Sequence, residues 1–159
     1  MGRHVALAVH PGSGRGAAAR IANTVAARLR AEADQLEVIT AESAEAFRAR
    51  VERSRRAGLD ALVVLGGDGA AHQAVQCCAD SGPALGLVPC GTGNDLARAL
   101  GVPADADAAV DSLIAALRGG TRRVVDLGRL DPDTTAPDTT TRDTTTAHGA
   151  VAHDTAPEG

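Results

Sequence analysis

Apolar residues fall along this chain in short, separate blocks, and the blocks are of two kinds. Residues 5–9, 61–65 and 84–88 are uninterrupted apolar runs of strand length, and 36–40 is a weaker one. Such runs mark strands covered on both faces, as in a parallel sheet. Between them apolar residues return every three or four positions. Ile21, Val25 and Leu29 predict a helix over 16–31. Phe47 and Val51 predict a second, capped by Ser43 and closed by Gly58, with Arg48, Arg50, Arg53, Arg55 and Arg56 on its outside and end. A third spans 70–79 and stops at Ser81-Gly82-Pro83. A fourth, over 106–118, turns Val110, Leu113, Ile114 and Leu117 inward before Gly119-Gly120. Residues 122–127 predict a final strand. Strands alternating with helices give an α/β fold, a doubly wound parallel sheet with helices on both faces.

The pattern stops at Leu130. Asp133-Thr134-Thr135, Asp138-Thr139-Thr140 and Asp143-Thr144-Thr145 recur every five residues, and Val151 is the only sizeable apolar side chain beyond them. A segment this polar cannot offset the entropy of ordering. The chain therefore divides into a folded domain over 1–130 and a disordered tail over 131–159.

Composition narrows the chemistry. All 16 basic residues are arginine, so lysine-based phosphate binding and Schiff-base chemistry are excluded. A phosphate must be met by backbone N–H groups, arginine or a metal ion. Phe47 is the only aromatic residue and the net charge is −4, which argues against nucleic acid as a partner. Three cysteines, two of them adjacent, show no metal-ligand spacing and fit a reducing compartment. No signal peptide and no apolar stretch of roughly 20 residues is present, so the expected location is cytoplasmic, with visits to a membrane surface allowed.

Candidate chemistry sits in three glycine-rich loops, each directly after an apolar run. The first, Gly12-Ser13-Gly14-Arg15-Gly16-Ala17, satisfies a dinucleotide-type spacing, which a plain glycine turn would also satisfy. The second, Gly66-Gly67-Asp68-Gly69, places a carboxylate where it could bind Mg²⁺ or steer a hydroxyl. The third, Gly91-Thr92-Gly93-Asn94-Asp95, sets hydroxyl, amide and carboxylate groups at a helix start, where Asn94 or Asp95 could also serve only as a cap. Arg98 could touch a phosphate or form a local ion pair, and His72 reads as a helix-surface side chain.

Read together, His10-Pro11-Gly12-Ser13-Gly14, the Gly66–Gly69 turn and the stretch from Pro89 to Arg98 resemble the N-terminal catalytic domain of the diacylglycerol kinase family. That family includes bacterial lipid kinases and sphingosine kinases, and shares its central turn with NAD kinases and phosphofructokinases. The resemblance covers roughly residues 3–130. It implies transfer of the γ-phosphoryl group of ATP to a lipid hydroxyl such as that of diacylglycerol, with Mg²⁺, in phospholipid metabolism. It implies that Ser13, Gly14, Gly66, Gly67, Gly69, Gly91, Thr92, Gly93 and Asn94 bind the nucleotide. Asp68 is the implied catalytic residue, and Asp68 with Asp95 the implied metal ligands. His10 and Ala70 depart from the Asn and Thr usual at those positions. Family members also continue into a β-rich second domain that carries the general base. Here a threonine-rich tail follows instead, so the expectation is a lipid kinase domain with little or no activity alone. The expected protein partners are a separate second-domain chain or further copies of this chain in a homo-oligomer. The alternatives are an NAD kinase-like enzyme and a non-catalytic nucleotide-binding or partner-binding fragment.

Overall fold

A computed structural model describes residues 3–10, 12–79, 82–128 and 147–151. The strands are β1 (His4–Val9), β2 (Gln35–Ile39), β3 (Ala61–Gly66), β4 (Ala84–Pro89), β5 (Arg123–Leu127) and β6 (Ala147–Val151). The helices are α1 (Ala17–Arg30), α2 (Ala44–Arg56), α3 (Asp68–Cys78), α4 (Asp95–Ala99) and α5 (Ala106–Gly119). The strands form one sheet in the order β2-β1-β3-β4-β6-β5, whose first four strands are mutually parallel.

Every residue of β1, β3 and β4 is buried, because helices cover both faces of those strands. Val5, Leu7 and Val9 of β1 and Ala61, Val63 and Leu65 of β3 pack with Val25 and Leu29 of α1 and Leu113 and Leu117 of α5. Ala6, Ala8, Leu62 and Val64 face the other way, against Phe47 and Val51 of α2 and Ala70 and Ala74 of α3. Alternate residues of a strand point to opposite faces, so an unbroken apolar run feeds two cores at once. Gly86 of β4 leaves the space that Leu113 fills, since a Cβ there would lie 2.8 Å from the leucine Cδ1. Ser43 caps α2 by accepting a hydrogen bond from the Ala46 N–H at 3.1 Å. Ion pairs from Arg28 to Asp111 and from Arg118 to Glu32 tie α1 and the turn after it to α5 across their exposed edges.

Two expectations are corrected. The helix after β3 begins at Asp68, not near Ala70, so Gly67 alone separates strand from helix. The sharpness comes from Gly67, an extended residue (φ −107°, ψ −165°) that ends the strand in a single step. Residues 147–151, expected inside a disordered tail, form β6, which pairs antiparallel with β5 and parallel with β4. Its ladder is made of backbone groups, which need no bulky side chains, and a count of apolar residues does not register them. The rest of that tail lies outside the described residues.

Candidate active site at the carboxyl ends of β1, β3 and β4

The chain leaves β1 towards β2 on one side and returns to β3 on the other, so β1 and β3 flank a topological switch point. In open α/β sheets ligands gather there, outside the carboxyl ends of the strands. All three glycine-rich loops leave the sheet at this end.

The first loop is tied down at both sides. His10 N–H donates to the Leu65 carbonyl at 3.2 Å, and Ser13 N–H donates back to the His10 carbonyl at 3.0 Å. Gly14, Arg15 and Gly16 all have positive φ (59°, 55° and 86°), a left-handed turn that delivers the chain into α1. Gly14 lies directly on the carbonyl oxygen of Cys90 and has no room for a side chain. The His10 ring meets the Phe47 ring edge-on at 5.7 Å, and burial pushes its pKa below the ordinary histidine value.

The second and third loops interlock. Cys90 N–H donates to the Gly66 carbonyl at 2.8 Å. Gly67 and Gly91 pack backbone on backbone: a Cβ on Gly91 would lie 2.7 Å from the Gly67 Cα, and one on Gly67 3.1 Å from the Gly91 Cα. Asp68 opens α3, half-buried, and its Oδ1 accepts the Leu96 N–H at 3.3 Å. Its Oδ2 borders Gly93, where a Cβ would lie 2.7 Å away, and the Asp95 carboxylate borders the same position at 3.8 Å. Asp95 itself is exposed and pairs with Arg98 one turn along α4. The Asn94 amide is turned onto the backbone of Gly91, accepting from its N–H at 2.9 Å and donating to its carbonyl at 2.8 Å.

The residues expected at the site are therefore neighbours, but they differ in what they present. Gly66, Gly67, Asp68 and Asn94 line a hollow of about 220 Å³ open to solvent, with Val64, Ala71, Leu87 and Ala97 as its apolar wall. Ser13 lies beside Gly66, its Oγ 3.4 Å from where a Gly66 Cβ would be, but outside the lining of the hollow. Thr92 and Gly93 are exposed at the loop tip. Gly69 differs from the other glycines of α3 and its loop, because a Cβ there would meet nothing within 4 Å. Gly14, Gly67 and Gly91 are required by loop-on-loop contact, whereas nothing inside the fold requires Gly69. His72 is exposed on α3, outside the lining of the hollow.

Sequence reasoning missed three participants. Ala70 packs under Gly66, 2.7 Å from where a Cβ would sit, which explains both small residues. The Leu96 N–H, a backbone group, holds Asp68 and carries no side-chain signal. Cys90 joins all three loops through its main chain, while burial raises its thiol pKa. Among the described residues no group of three His, Cys, Asp or Glu side chains is placed to cage a metal ion. No helix among them is long and apolar enough to cross a membrane.

The family model of the diacylglycerol kinase catalytic domain matches residues 4–130. The chain belongs to that family. Its curated relatives include a diacylglycerol kinase of Mycobacterium tuberculosis, 36% identical over 135 residues, which are 84% of this chain and 42% of that one. The probable lipid kinase YegS of Escherichia coli is 34% identical over 100 residues, 60% of this chain and 32% of YegS. The crystal structure of a diacylglycerol kinase from Bacillus anthracis superimposes with a TM-score of 0.66 at 24% identity, covering 80% of this chain and 44% of that one. The chain thus spans under half the length of the relatives it matches, and its α/β fold is theirs.

Proposed function

We propose that this chain is the nucleotide-binding half of a lipid kinase, holding ATP with Mg²⁺ at the carboxyl ends of β1, β3 and β4. The observation that carries the proposal is the placing of two carboxylates, Asp68 and Asp95, beside Gly93 at a helix start left open at Gly69. Mg²⁺ is commonly held by one or two carboxylates together with water and substrate phosphates, and this donor set fits it. Bound there, the ion would neutralise phosphate charge. The free N–H groups at the start of α3, with no side chain at Gly69 in the way, suit the phosphates themselves. Ser13, Gly14 and Thr92 would border the rest of the nucleotide.

In the reaction proposed, a lipid hydroxyl oxygen bonds to the γ-phosphorus, the β–γ bridging bond breaks and ADP leaves. The hydroxyl proton passes to a base that a further domain or chain supplies. Positioning and charge neutralisation are most of what such a transfer needs. The hollow lies open to solvent rather than enclosing a ligand on its own. We infer that the isolated chain binds nucleotide but turns over little, and that a closing partner at a membrane surface completes the site. Titration calorimetry with Mg²⁺–ATP tests this: saturable heat is expected, and none in the wild-type chain would overturn it. Phosphorylation of diacylglycerol in mixed micelles by the chain alone would overturn the need for a partner.

A further inference from the structure

We propose that Asn94 is a positioning residue that fixes the Asp68 carboxylate, rather than a ligand of nucleotide or metal. Its amide is committed within its own loop, with Oδ1 on the Gly91 N–H at 2.9 Å and Nδ2 on the Gly91 carbonyl at 2.8 Å. Two bonds to one residue clamp Gly91 in place. Gly91 is in turn packed on Gly67, at backbone contact, and Gly67 is the residue before Asp68. Asn94 therefore bears on the main-chain side of Asp68 through the Gly91–Gly67 contact.

It also bears on the carboxylate side. Asn94 is left-handed (φ 53°, ψ 42°), a conformation that asparagine tolerates better than most side chains. The reversal starts α4 at Asp95 and presents the Leu96 N–H to Asp68 Oδ1 at 3.3 Å. That bond orients the carboxylate so that Oδ2 borders Gly93 and the Asp95 side chain. One residue thus sets both, the backbone before Asp68 through its amide and the donor that aims the carboxylate through its main-chain turn. Second partners of this kind hold first ligands in place in metal sites, and their loss typically costs about 10–100-fold in affinity.

The test uses Asn94→Gly, which still permits the left-handed backbone without strain but removes both side-chain bonds that hold the turn closed. In the ligand-free chain, the Leu96 amide resonance and the Asp68 carboxyl ¹³C resonance are expected to move, and Leu96 to lose hydrogen-exchange protection, while the core amides stay. Unmoved Leu96 and Asp68 signals would overturn the proposal. Asn94→Asp keeps the acceptor for Gly91 N–H and removes the donor to its carbonyl. It is expected to displace the same two signals, and it serves if the glycine variant does not fold. A second arm rests on the nucleotide reading above: Mg²⁺–ATP affinity should fall about 10–100-fold in Asn94→Gly. Affinity lost with both resonances unmoved would make Asn94 a direct ligand, and affinity kept with both moved would leave it no part in binding. Either result overturns the proposal. Absence of binding in the wild-type chain would count against the nucleotide reading alone, with the resonances still deciding the role of Asn94.

Discussion

Gly14 rests on the carbonyl oxygen of Cys90, so the loop after β1 and the loop after β4 touch across the end of β3. Gly14→Ala meets two penalties, an overlap with main-chain oxygen and a side chain at φ 59°. A left-handed non-glycine residue costs roughly 1–2 kcal/mol and overpacking about 1–3 kcal/mol. The expected outcome is a fall of at least about 2 kcal/mol in unfolding free energy by urea titration, with loss of any nucleotide binding.

Gly69→Ala should behave in the opposite way. Residue 69 is helical and has open space around it, so alanine there is expected to leave stability unchanged or raise it by about 0.5–1 kcal/mol. If phosphates approach the start of α3, the same methyl group obstructs them. A thermal melt that holds or rises, with Mg²⁺–ATP affinity reduced at least about tenfold in calorimetry, is the expected pair of results.

His10 gives the fold a dependence on pH. Burial lowers its pKa relative to the unfolded chain, with the ring half-buried against Phe47. A depressed folded value means that the unfolded chain takes up the proton first. The neutral ring therefore costs nothing above the ordinary histidine value near 6.5, and stability declines as pH falls below it towards the folded value. Urea midpoints at pH 7.5 and 5.5 should differ more for the wild type than for His10→Asn, which has no such titration. Equal differences would remove His10 from the effect.

Much of the frame was legible because its signals are local. The apolar runs became β1, β3 and β4, Ser43 caps α2, and Phe47 and Val51 face the core. The three loops converge as their positions after strands implied. What stayed hidden is held by backbone groups or by residues distant in sequence. The Asn94 amide could have gone to a ligand or to Gly91, and only the turn geometry decides. β6 holds a single sizeable apolar residue, Val151, so its pairing could not be read from hydrophobicity. Gly86 looked like any small residue in a strand until Leu113 was seen to occupy its space.

That last contact supplies a core test. Gly86→Ala pushes a methyl group to 2.8 Å from the Leu113 Cδ1 and should cost about 1–3 kcal/mol. In Leu113→Ala the same substitution should cost much less, because the space has been vacated. A double-mutant cycle by urea unfolding measures the coupling, expected at about 0.5–3 kcal/mol.

The cysteines should separate by reactivity. Burial, with Cys77 adding to it, pushes the Cys78 thiol up to about 12, while Cys77 and Cys90 are half-buried and shifted upward. Thiolate is the reactive form, so at pH 8 Cys78 should resist a disulfide reagent until the chain unfolds. Denaturant should release it in step with the loss of helical signal.

The seat of Gly14 on Cys90 has a consequence for how such a site can be inherited. Each motif alone is a glycine turn with no partner. They become one surface only when β3 lies between β1 and β4, because that order brings the outer two loops within reach over the middle one. A rearranged gene that kept all three motifs and changed the strand order would keep the words and lose the sentence.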